Sequence, residues 1–411
     1  MTQQIVKQET LALNGDEAVA LAAKHCDVDV VAAYPITPQT IIVEKFSEYV
    51  ANGEVHTEFV CTESEHSAMT ASLSASLTGA RTFTASASAG LALMHEMLFV
   101  TSGSRAPVVM AVANRALSAP INIHGDHSDS MAERDSGWLH LYVENAQEAY
   151  DSIVQAFKIA EDPDISLPII VGLDGFTISH TLENVNVLPA EVVRQFIGER
   201  VLPVVLSHEG KMVPFKLDPD NPTTMGPNAS SVFYFEFKRQ QEEAMQKALK
   251  KIQEVNAEYA ALTGRSYGDG LIDAYQLVDA EIALVVVGST AGTLKVVVDE
   301  LRREGIKAGL LRLRAFRPFP VEQLQEALKN VKVIAVMDKC MSPGGLGGPI
   351  FAEVRSALFD LTPRPLVISY IFGLGGRDST PPELRKVFEH LQHVAKTGQM
   401  GTVMHYLGLK E

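Results

Sequence analysis

Residues 112–138 read VANRALSAPINIHGDHSDSMAERDSGW, and they follow an apolar run, Pro107–Val112, that is typical of a buried strand. The stretch is rich in ionisable side chains and has little apolar periodicity. Burying it in a core would be costly, because unpaired charges lose their hydration there. Polar loops that follow buried strands are where α/β proteins place their binding sites. We therefore expect the rest of the chain to be a scaffold that positions this loop.

The composition predicts a soluble protein of two domains. The chain has 411 residues, of which 46% are hydrophobic, and its net charge is −15. An acidic chain argues against nucleic acid as a partner. No apolar run reaches the roughly 18 residues that a membrane helix needs, and the N-terminal residues do not resemble a signal peptide. We therefore expect a cytoplasmic protein with no membrane partner.

The three cysteines, Cys26, Cys61 and Cys340, lie far apart and form no C-x-x-C pair. A disulfide framework or a zinc site needs more cysteines, and an iron–sulfur cluster needs about four. We expect three reduced structural thiols. If the protein takes part in electron transfer, another chain must hold the iron.

Strand and helix patterns alternate over the first 175 residues, which predicts a parallel sheet with helices on both faces. The polar segment Tyr34–Thr40 follows the first of these strands. The predicted elements are the helix Gly15–His25 with Gly15-Asp16 as its cap, the strand Asp29–Ala33, the helix Thr40–Val50 capped by Thr40, the strand Phe59–Cys61, the helix Ser67–Ala80, the strand Arg81–Thr84, the flexible loop Ala85–Gly90, the helix Leu91–Thr101, the helix Tyr142–Ala160 and the strand Pro168–Asp174.

The rest of the chain changes character twice. Residues 183–235 contain six prolines and few helix signals, which predicts a long excursion rather than a compact unit. A strongly charged helix is predicted next, over Glu236–Leu262. From residue 281 a second α/β pattern begins, and it includes a helix predicted over Val321–Leu328. The predicted organisation is a first domain over 1–235, a helical linker over 236–280 and a second domain over 281–411.

Two glycine-rich loops lie in the second domain, at Pro343–Gly348 and Gly373–Asp378. Neither matches a nucleotide-binding fingerprint, so tight turns that permit close packing are the expected role. The loop Pro343–Gly348 is in addition a weak candidate for contact with coenzyme A.

Three polar loops are expected to converge on one edge of the first sheet. One carries Thr37, the second Glu65 and the third Arg115 with a His/Asp cluster. A guanidinium beside a hydroxyl suits a carboxylate ligand. Thr37, held extended before Pro38, could present that hydroxyl or could simply precede a helix. Glu65 could bond a heterocycle nitrogen or could act only as an acidic helix start.

The His/Asp cluster superficially resembles a metal site, but its spacing matches no site of known mechanism. The cluster could instead serve structural hydrogen bonding, or it could belong to an active site or an interface, and we expect no metal on this chain. The residues concerned are His124, Asp126, His127 and Asp129.

Four motifs, in this order, resemble the α subunit of the 2-oxoacid:ferredoxin oxidoreductases, and pyruvate:ferredoxin oxidoreductase most closely. They are YPITP at 34–38, ESEHSA at 63–68, GLALM at 90–94 and NRALSAPINI at 114–123. The resemblance implies an α/β fold of two thiamine-enzyme-type domains. A pyrimidine-binding-like parallel-sheet domain is followed by a transketolase C-terminal-like domain.

The resemblance also implies roles for individual residues. Glu65 would bond the N1′ nitrogen of the thiamine diphosphate aminopyrimidine, and Arg115 and Thr37 would bind the substrate carboxylate. Further residues expected at the cofactor are Pro35, Ser88 and Gly90. The residues expected in the substrate loop are Asn114, His124, Asp126 and His127.

The implied reaction is the coenzyme A-dependent oxidative decarboxylation of pyruvate to acetyl-CoA and CO₂. In multi-subunit members of the family a β subunit holds the diphosphate and Mg²⁺, which fits the absence here of a G-D-G…N motif. Iron–sulfur and γ-type subunits would carry [4Fe–4S] clusters, and ferredoxin or another acceptor would take the electrons. The active site would then lie between subunits.

Two departures from the family pattern concern the substrate. Ala89 stands where members often have Gln, and HGDHSD at 124–129 stands where many have WNDHQD. Because Ala89, Gly125 and Ser128 are small, the substrate could instead be a bulkier branched-chain or aromatic 2-oxoacid such as phenylglyoxylate. The chain could also be a non-catalytic assembly subunit, or a metal hydrolase that uses the His/Asp cluster.

Overall fold

The computed structural model describes residues 5–207 and 209–410. Within these ranges the strands form a seven-stranded sheet, a six-stranded sheet and two short antiparallel ladders. The elements up to residue 197 are β1 (Glu9–Leu13), α1 (Gly15–His25), β2 (Val30–Ala33), α2 (Thr40–Ala51), β3 (Glu58–Cys61), α3 (Glu65–Leu77), β4 (Thr82–Ser86), α4 (Ser88–Leu93), α5 (His95–Gly103), β5 (Val108–Asn114), α6 (Ser128–Ala132), β6 (Leu139–Tyr142), α7 (Ala146–Ala160), β7 (Ile169–Asp174), β8 (Glu183–Val187) and α8 (Ala190–Ile197).

The remaining elements form the short ladder β9–β10, a long helix and the second sheet with its helices. A 3₁₀ turn at Leu374–Gly376 precedes the last helix. These elements are β9 (Val204–Leu206), β10 (Met212–Pro214), α9 (Tyr234–Thr263), β11 (Ile272–Tyr275), β12 (Ile282–Val286), α10 (Thr290–Arg303), β13 (Ala308–Leu313), β14 (Ala315–Arg317), α11 (Val321–Leu328), β15 (Val333–Asp338), α12 (Pro349–Leu358), β16 (Leu366–Ile371), α13 (Pro381–Thr397) and β17 (Met404–Tyr406).

The first sheet has the order β14-β6-β7-β5-β4-β2-β3, and its strands are parallel except β14. Every residue of the central strand β5, VVMAVAN, is buried, because helices cover both faces of a parallel sheet. The predicted parallel sheet is confirmed. Its parallel strands place their carboxyl ends, and the polar loops that follow them, at one edge.

The second sheet has the order β11-β13-β12-β15-β16-β17, with β11 antiparallel to its neighbour. The loops that follow β12, β15 and β16 carry Ser289, Lys339 and Gly375. Ser289 and Lys339 bond Asp174 at the carboxyl end of β7, and Gly375 bonds Asp126 of the 112–138 loop. The carboxyl edges of the two sheets therefore face each other across the polar loops.

A buried ion network joins α7 to the second sheet. The carboxylate of Glu148 accepts hydrogen bonds from Arg312 Nη1 at 2.6 Å and from Arg314 Nε at 2.9 Å. All three side chains are buried. Buried charges are tolerated only when they are paired and hydrogen-bonded, so this network fixes how α7 and β13 pack together.

Several predicted boundaries were wrong. Ser88–Leu93 is helix α4, so Ala85–Gly90 is not a flexible loop. The predicted helix Leu91–Thr101 is two helices, α4 and α5. The predicted helix Tyr142–Ala160 begins only at Ala146, because Leu139–Tyr142 forms strand β6. That strand has four residues, which is too short for a clear alternating pattern.

Two predicted caps were also wrong. The cap of α1 is Asn14, whose side chain accepts a hydrogen bond from the backbone of Glu17 at 2.9 Å. Gly15 and Asp16 are the first helical residues instead. At α2 the cap position is Gln39 and not Thr40. The side chain of Gln39 reaches the carbonyl of Ala85 on the neighbouring strand, so it ties the 34–40 loop to the sheet.

The predicted helical linker 236–280 is helical only as far as Thr263. The helix ends there because Gly264 has φ +77°, a left-handed conformation that glycine adopts without strain. Residues 272–275 then join the second sheet as β11. Within the predicted excursion 183–235, β8 pairs with β1 and α8 contacts α7. The domain limits themselves stay a prediction.

No helix within residues 5–207 and 209–410 combines the length and the apolar character that crossing a membrane requires.

Candidate active site

The guanidinium of Arg115 is nearly buried but has no counter-charge. It is 8% exposed, its Nε donates to the carbonyl of Asn122 at 2.9 Å, and its Nη1 donates to the carbonyl of Thr37 at 2.9 Å. Within the described ranges Nη2 has no hydrogen-bond partner, and no carboxylate forms an ion pair with Arg115. A desolvated cation with free donors is suited to binding an anion such as a carboxylate.

Thr37 lies beside Arg115, as the sequence predicts for two residues that share a ligand. The carbonyl contact joins the loop after β2 to the end of β5. The side chain of Thr37 is exposed, and Pro35 on the same loop is exposed as well. The structure thus places the backbone of Thr37 against the guanidinium of Arg115, next to the exposed Thr37 side chain.

Glu65 is the first residue of α3, which begins two residues earlier than predicted. The helix is capped by Ser64, whose hydroxyl accepts from the backbone of Ser67 at 3.2 Å, so Glu65 is not needed as a cap. Glu65 is only 6% exposed, yet its carboxylate has no hydrogen bond to any described residue. Because it has no partner within the protein, this carboxylate is available to bond a ligand.

Gly90 lies against this carboxylate. A Cβ atom at Gly90 would lie 2.5 Å from Glu65 Oε1, so any larger residue would displace the glutamate. The two motifs that carry Glu65 and Gly90 are therefore in contact, as expected for residues of one cofactor site. Ala89, next to Gly90, is exposed on α4.

Asp129 connects the segment of Arg115 with the start of α4, although the sequence suggested no separate role for it. Its Oδ2 accepts from the backbone N–H of Ser88 and of Arg115, each at 2.9 Å, and its Oδ1 accepts from Asn114 Nδ2 at 2.8 Å. Ser88 and Asn114 are thus held through Asp129, and Asn114 is fully buried. These contacts fix the backbone of Arg115 relative to the start of α4.

The titration of Asp129 gives a pH-dependent prediction. Burial raises the pKa of Asp129 to about 6, although four hydrogen bonds favour the carboxylate. Because this folded-state pKa lies above the ordinary aspartate value of 3.8, the contribution of Asp129 to stability is complete below about pH 4 and is lost as the pH rises through 6.

We expect the unfolding free energy of the wild-type protein, relative to that of Asp129→Asn, to fall by up to about 3 kcal/mol between pH 4 and pH 6. Urea unfolding at a series of pH values measures this difference. Parallel pH curves for the two proteins would contradict it.

The His/Asp cluster does not converge on a metal. His127 Nε2 bonds Asp174 Oδ1 at 2.6 Å, whereas Asp126 Oδ2 accepts from the backbone of Gly375 at 3.0 Å. His124 is exposed and packs its ring on Phe176 at 5.2 Å. No group of three or more potential ligands in the described part of the chain is arranged for a metal ion. The geometry thus gives no support to a metal site at these residues.

Asp174 is the centre of a second buried cluster. Burial alone would raise its pKa, but Lys339, whose Nζ lies 2.7 Å away, and His127 hold the pKa of this carboxyl well below its usual range. Ser289 donates to the same carboxylate through its hydroxyl and its backbone. Through Asp174, His127 therefore links the 112–138 loop to Lys339 and Ser289 of the second sheet, while its Nδ1 is buried without a hydrogen-bond partner in the described ranges.

Packing and hydrogen bonding explain why small residues stand at positions 125 and 128 of the 112–138 loop. A Cβ at Gly125 would lie 2.7 Å from the carbonyl oxygen of Gly175, so glycine is required by close packing. Ser128 donates to Asp126 Oδ1 at 2.6 Å and accepts from the backbone of Leu117. Close packing and hydrogen bonds within the loop therefore explain both residues without reference to the size of the substrate.

Comparison with known proteins identifies the family. The thiamine diphosphate-binding model of pyruvate flavodoxin/ferredoxin oxidoreductase matches residues 21–257, and the model of pyruvate:ferredoxin oxidoreductase core domain II matches residues 280–384. Pyruvate synthase subunit PorA of Methanocaldococcus jannaschii is 52% identical over 98% of this chain and 99% of its own length. The chain belongs to the pyruvate:ferredoxin oxidoreductase family. It is a subunit of an oxidoreductase, and the resemblance drawn from the four motifs is confirmed.

Other relatives belong to the same family, and two solved structures share the fold. PorA of Thermotoga maritima is 48% identical over 98% of this chain and 99% of its own, and the ketoisovalerate oxidoreductase subunit VorA of Pyrococcus horikoshii is 42% identical over 97% and 98%. The 2-oxoglutarate:ferredoxin oxidoreductase from Magnetococcus marinus, with 2-oxoglutarate, coenzyme A and succinyl-CoA bound, matches with a TM-score of 0.73 at 19% identity. That match covers 93% of this chain and 65% of the other.

A split-gene transketolase, an inactive tetramer, matches with a TM-score of 0.52 at 12% identity, over 94% of this chain and 100% of the other. At these identities the two structures speak for the fold alone. Together with the family models they confirm the predicted arrangement of thiamine-enzyme-type domains.

The sequence assigned no separate role to the residues that hold Arg115 in place. Asp129 and Asn122 contact Arg115, and Gly375 holds Asn122. One sequence feature could have indicated the second sheet's part: the glycine loop at 373–376 follows a buried strand of a parallel sheet, where binding sites are commonly formed.

The other glycine-rich loop, Pro343–Gly348, leads into α12. The first backbone donors of that helix, Ile350 N and Phe351 N, are taken by Asp338 at 2.8 and 3.1 Å. Because the carboxylate already occupies these donors, they are not free for a phosphate group of coenzyme A. The geometry thus gives no support to this loop as a coenzyme A contact.

Proposed function

We propose that this chain is the α subunit of a thiamine diphosphate-dependent oxidoreductase that converts pyruvate and coenzyme A to acetyl-CoA and CO₂. Electrons pass to iron–sulfur clusters on partner subunits and then to ferredoxin or another acceptor. The nearly buried, uncompensated guanidinium of Arg115 beside Thr37 is the observation that carries the proposal. Pyruvate is preferred because the relatives at 52% and 48% identity are named pyruvate synthase subunits.

The residues present fit the pyrimidine end of thiamine diphosphate. Glu65 offers a nearly buried carboxylate without an internal partner, and Gly90 leaves the space beside it free of side chain. Bound thiamine diphosphate supplies the nucleophilic carbon and the electron sink for decarboxylation. Glu65 would hold a proton on the pyrimidine nitrogen, while Arg115 and Thr37 orient the carboxylate that leaves as CO₂.

The diphosphate and Mg²⁺ are assigned to a partner β subunit, and the [4Fe–4S] clusters to iron–sulfur and γ-type subunits. The relatives are named as subunits, and an exposed apolar surface on this chain supports docking of a partner. Phe233 is 60% exposed and Phe235 78% exposed at the start of α9, which contacts α5 with its exposed Phe99 and Val100. A cytoplasmic location remains a prediction from composition.

Replacing Arg115 by lysine tests the carboxylate site. We expect the KM for pyruvate to rise about 10- to 100-fold, because an ammonium group cannot make the paired bonds of a guanidinium. The KM for coenzyme A should stay within about twofold of the wild type. Dye-reducing, acyl-CoA-forming activity of the complex, purified through a tag on this chain, measures both constants.

Arg134→Lys is the matched control, since Arg134 lies in the same segment but its side chain contacts the carbonyl of Met131 and the exposed Asp135 instead. It should leave both constants unchanged. An Arg115→Lys complex with a wild-type KM for pyruvate would remove Arg115 from the site.

A panel of 2-oxoacids with the wild-type complex tests the substrate. We expect the activity on pyruvate to exceed the activity on every other acid of the panel by a wide margin. Higher activity on a branched-chain or aromatic acid would leave the proposed reaction type intact but identify a different substrate. A complex with iron–sulfur partners but no activity on any 2-oxoacid would favour a non-catalytic assembly subunit.

A further inference from the structure

Two backbone carbonyls orient the guanidinium of Arg115, that of Thr37 and that of Asn122 in its own loop. Arg115 Nε donates to the carbonyl of Asn122 at 2.9 Å, and the backbone of Ala116 donates to the carbonyl of His124 at 3.1 Å, which closes the loop. Because no side-chain carboxylate in the described ranges pairs with Arg115, a shift of Asn122 would rotate the guanidinium. The contacts that hold Asn122 in place therefore also orient the guanidinium of Arg115 at the proposed carboxylate site.

Asn122 is held by the second sheet. Its Nδ2 donates to the carbonyl of Gly375 at 3.0 Å, and its Oδ1 accepts from the backbone of His124 at 2.7 Å. The backbone N–H of the same Gly375 donates to Asp126 Oδ2 at 3.0 Å. Both polar groups of one glycine in the turn after β16 thus bind the loop of Arg115, on either side of His124.

The contact is too close for any residue with a side chain. Gly375 has φ +60°, and a Cβ there would lie 2.3 Å from Asn122 Nδ2. A Cβ at Gly376, with φ +75°, would lie 2.4 Å from His124 Cβ. These glycines allow the turn to touch the loop. A methyl group at Gly375 would displace the amide of Asn122, and one at Gly376 would press on the Cβ of His124.

We infer that Asn122 and the glycine turn at 373–376 are positioning elements, through which the second sheet sets the orientation of Arg115 toward the carboxylate of the 2-oxoacid. The inference rests on the proposed function and extends it. It gives the second sheet a part in substrate binding, although none of its residues needs to touch the substrate. Asp126 shares this task, since it binds the N–H of the same turn.

Two variants of the complex test the inference, Gly375→Ala and Asn122→Ala. Each should raise the KM for pyruvate about tenfold while kcat and the KM for coenzyme A stay within about twofold, because binding of the carboxylate is weakened before any bond changes. Hydrogen exchange should be faster at residues 115–126 in Gly375→Ala, since the loop loses its anchor.

Gly305→Ala is the matched control. Gly305 has φ +81°, so alanine is strained there as well, but a Cβ would meet nothing within 4 Å. This variant should keep a wild-type KM and wild-type exchange at 115–126. An active wild-type complex with an unchanged KM for pyruvate in both test variants would overturn the inference alone. A wild-type complex without turnover of any 2-oxoacid would overturn the proposed function and this inference with it.

Discussion

Glu65→Gln is expected to lower the turnover of pyruvate by about 10²- to 10⁴-fold, the range that a positioned proton-transfer group contributes. The amide has the size of the carboxylate but cannot carry the negative charge that would hold a proton on the cofactor. Folding should be unaffected, because the carboxylate makes no hydrogen bond to any described residue and the cap of α3 is Ser64. Steady-state dye reduction by the intact complex measures the loss.

Glu63→Gln is the control for this prediction. Glu63 lies two residues earlier in the same motif, is exposed and bonds the hydroxyl of Ser67. Its substitution should leave kcat within about twofold of the wild type. If Glu65→Gln kept half of the wild-type turnover, the assignment of Glu65 to the cofactor would fail.

Glu148→Gln is expected to lower the free energy of unfolding by about 3–5 kcal/mol, the cost of leaving a buried charge, that of Arg314, without its partner. Glu148 is fully buried and bonds both Arg312 and Arg314, which are 1% and 0% exposed. Glutamine keeps the shape but removes the only carboxylate in the described part of the chain that pairs with Arg314. Urea unfolding followed by circular dichroism measures the change.

The matched control is Glu353→Gln, because Glu353 also bonds an arginine, Arg317, at 2.6 Å but is one-third exposed. Surface ion pairs are worth roughly 0–1 kcal/mol, so this variant should change the unfolding free energy little. Equal losses of unfolding free energy in Glu148→Gln and Glu353→Gln would show that burial does not determine how strongly the Glu148 network stabilises the fold.

Local patterns in the sequence determined much of the fold. The predicted helices Gly15–His25 and Val321–Leu328 have the bounds found in the structure, because an apolar face with a helical period depends only on neighbouring residues. The buried strand that precedes Asn114 was recognised from its continuous apolar run. Short elements such as β6 and α4 were missed, since four to six residues carry too little periodicity.

The sequence also brought out the residues that could carry the chemistry. Arg115, Thr37 and Glu65 stood out as polar groups in loops after buried strands, and the family motifs gave them roles. The structure places Thr37 against Arg115 and Gly90 against Glu65, while their roles toward substrate and cofactor remain proposals.

Only the tertiary structure decided what holds these groups in place. Asn122 and Gly375 are 253 residues apart, Asp174 and Lys339 are 165 apart, and β14 crosses from the second sheet to the edge of the first. A local pattern cannot encode such pairs, because either partner alone reads as an ordinary polar or turn residue. They meet only when the carboxyl edges of the two sheets face each other, and the buried hydrogen bonds formed there then fix the site.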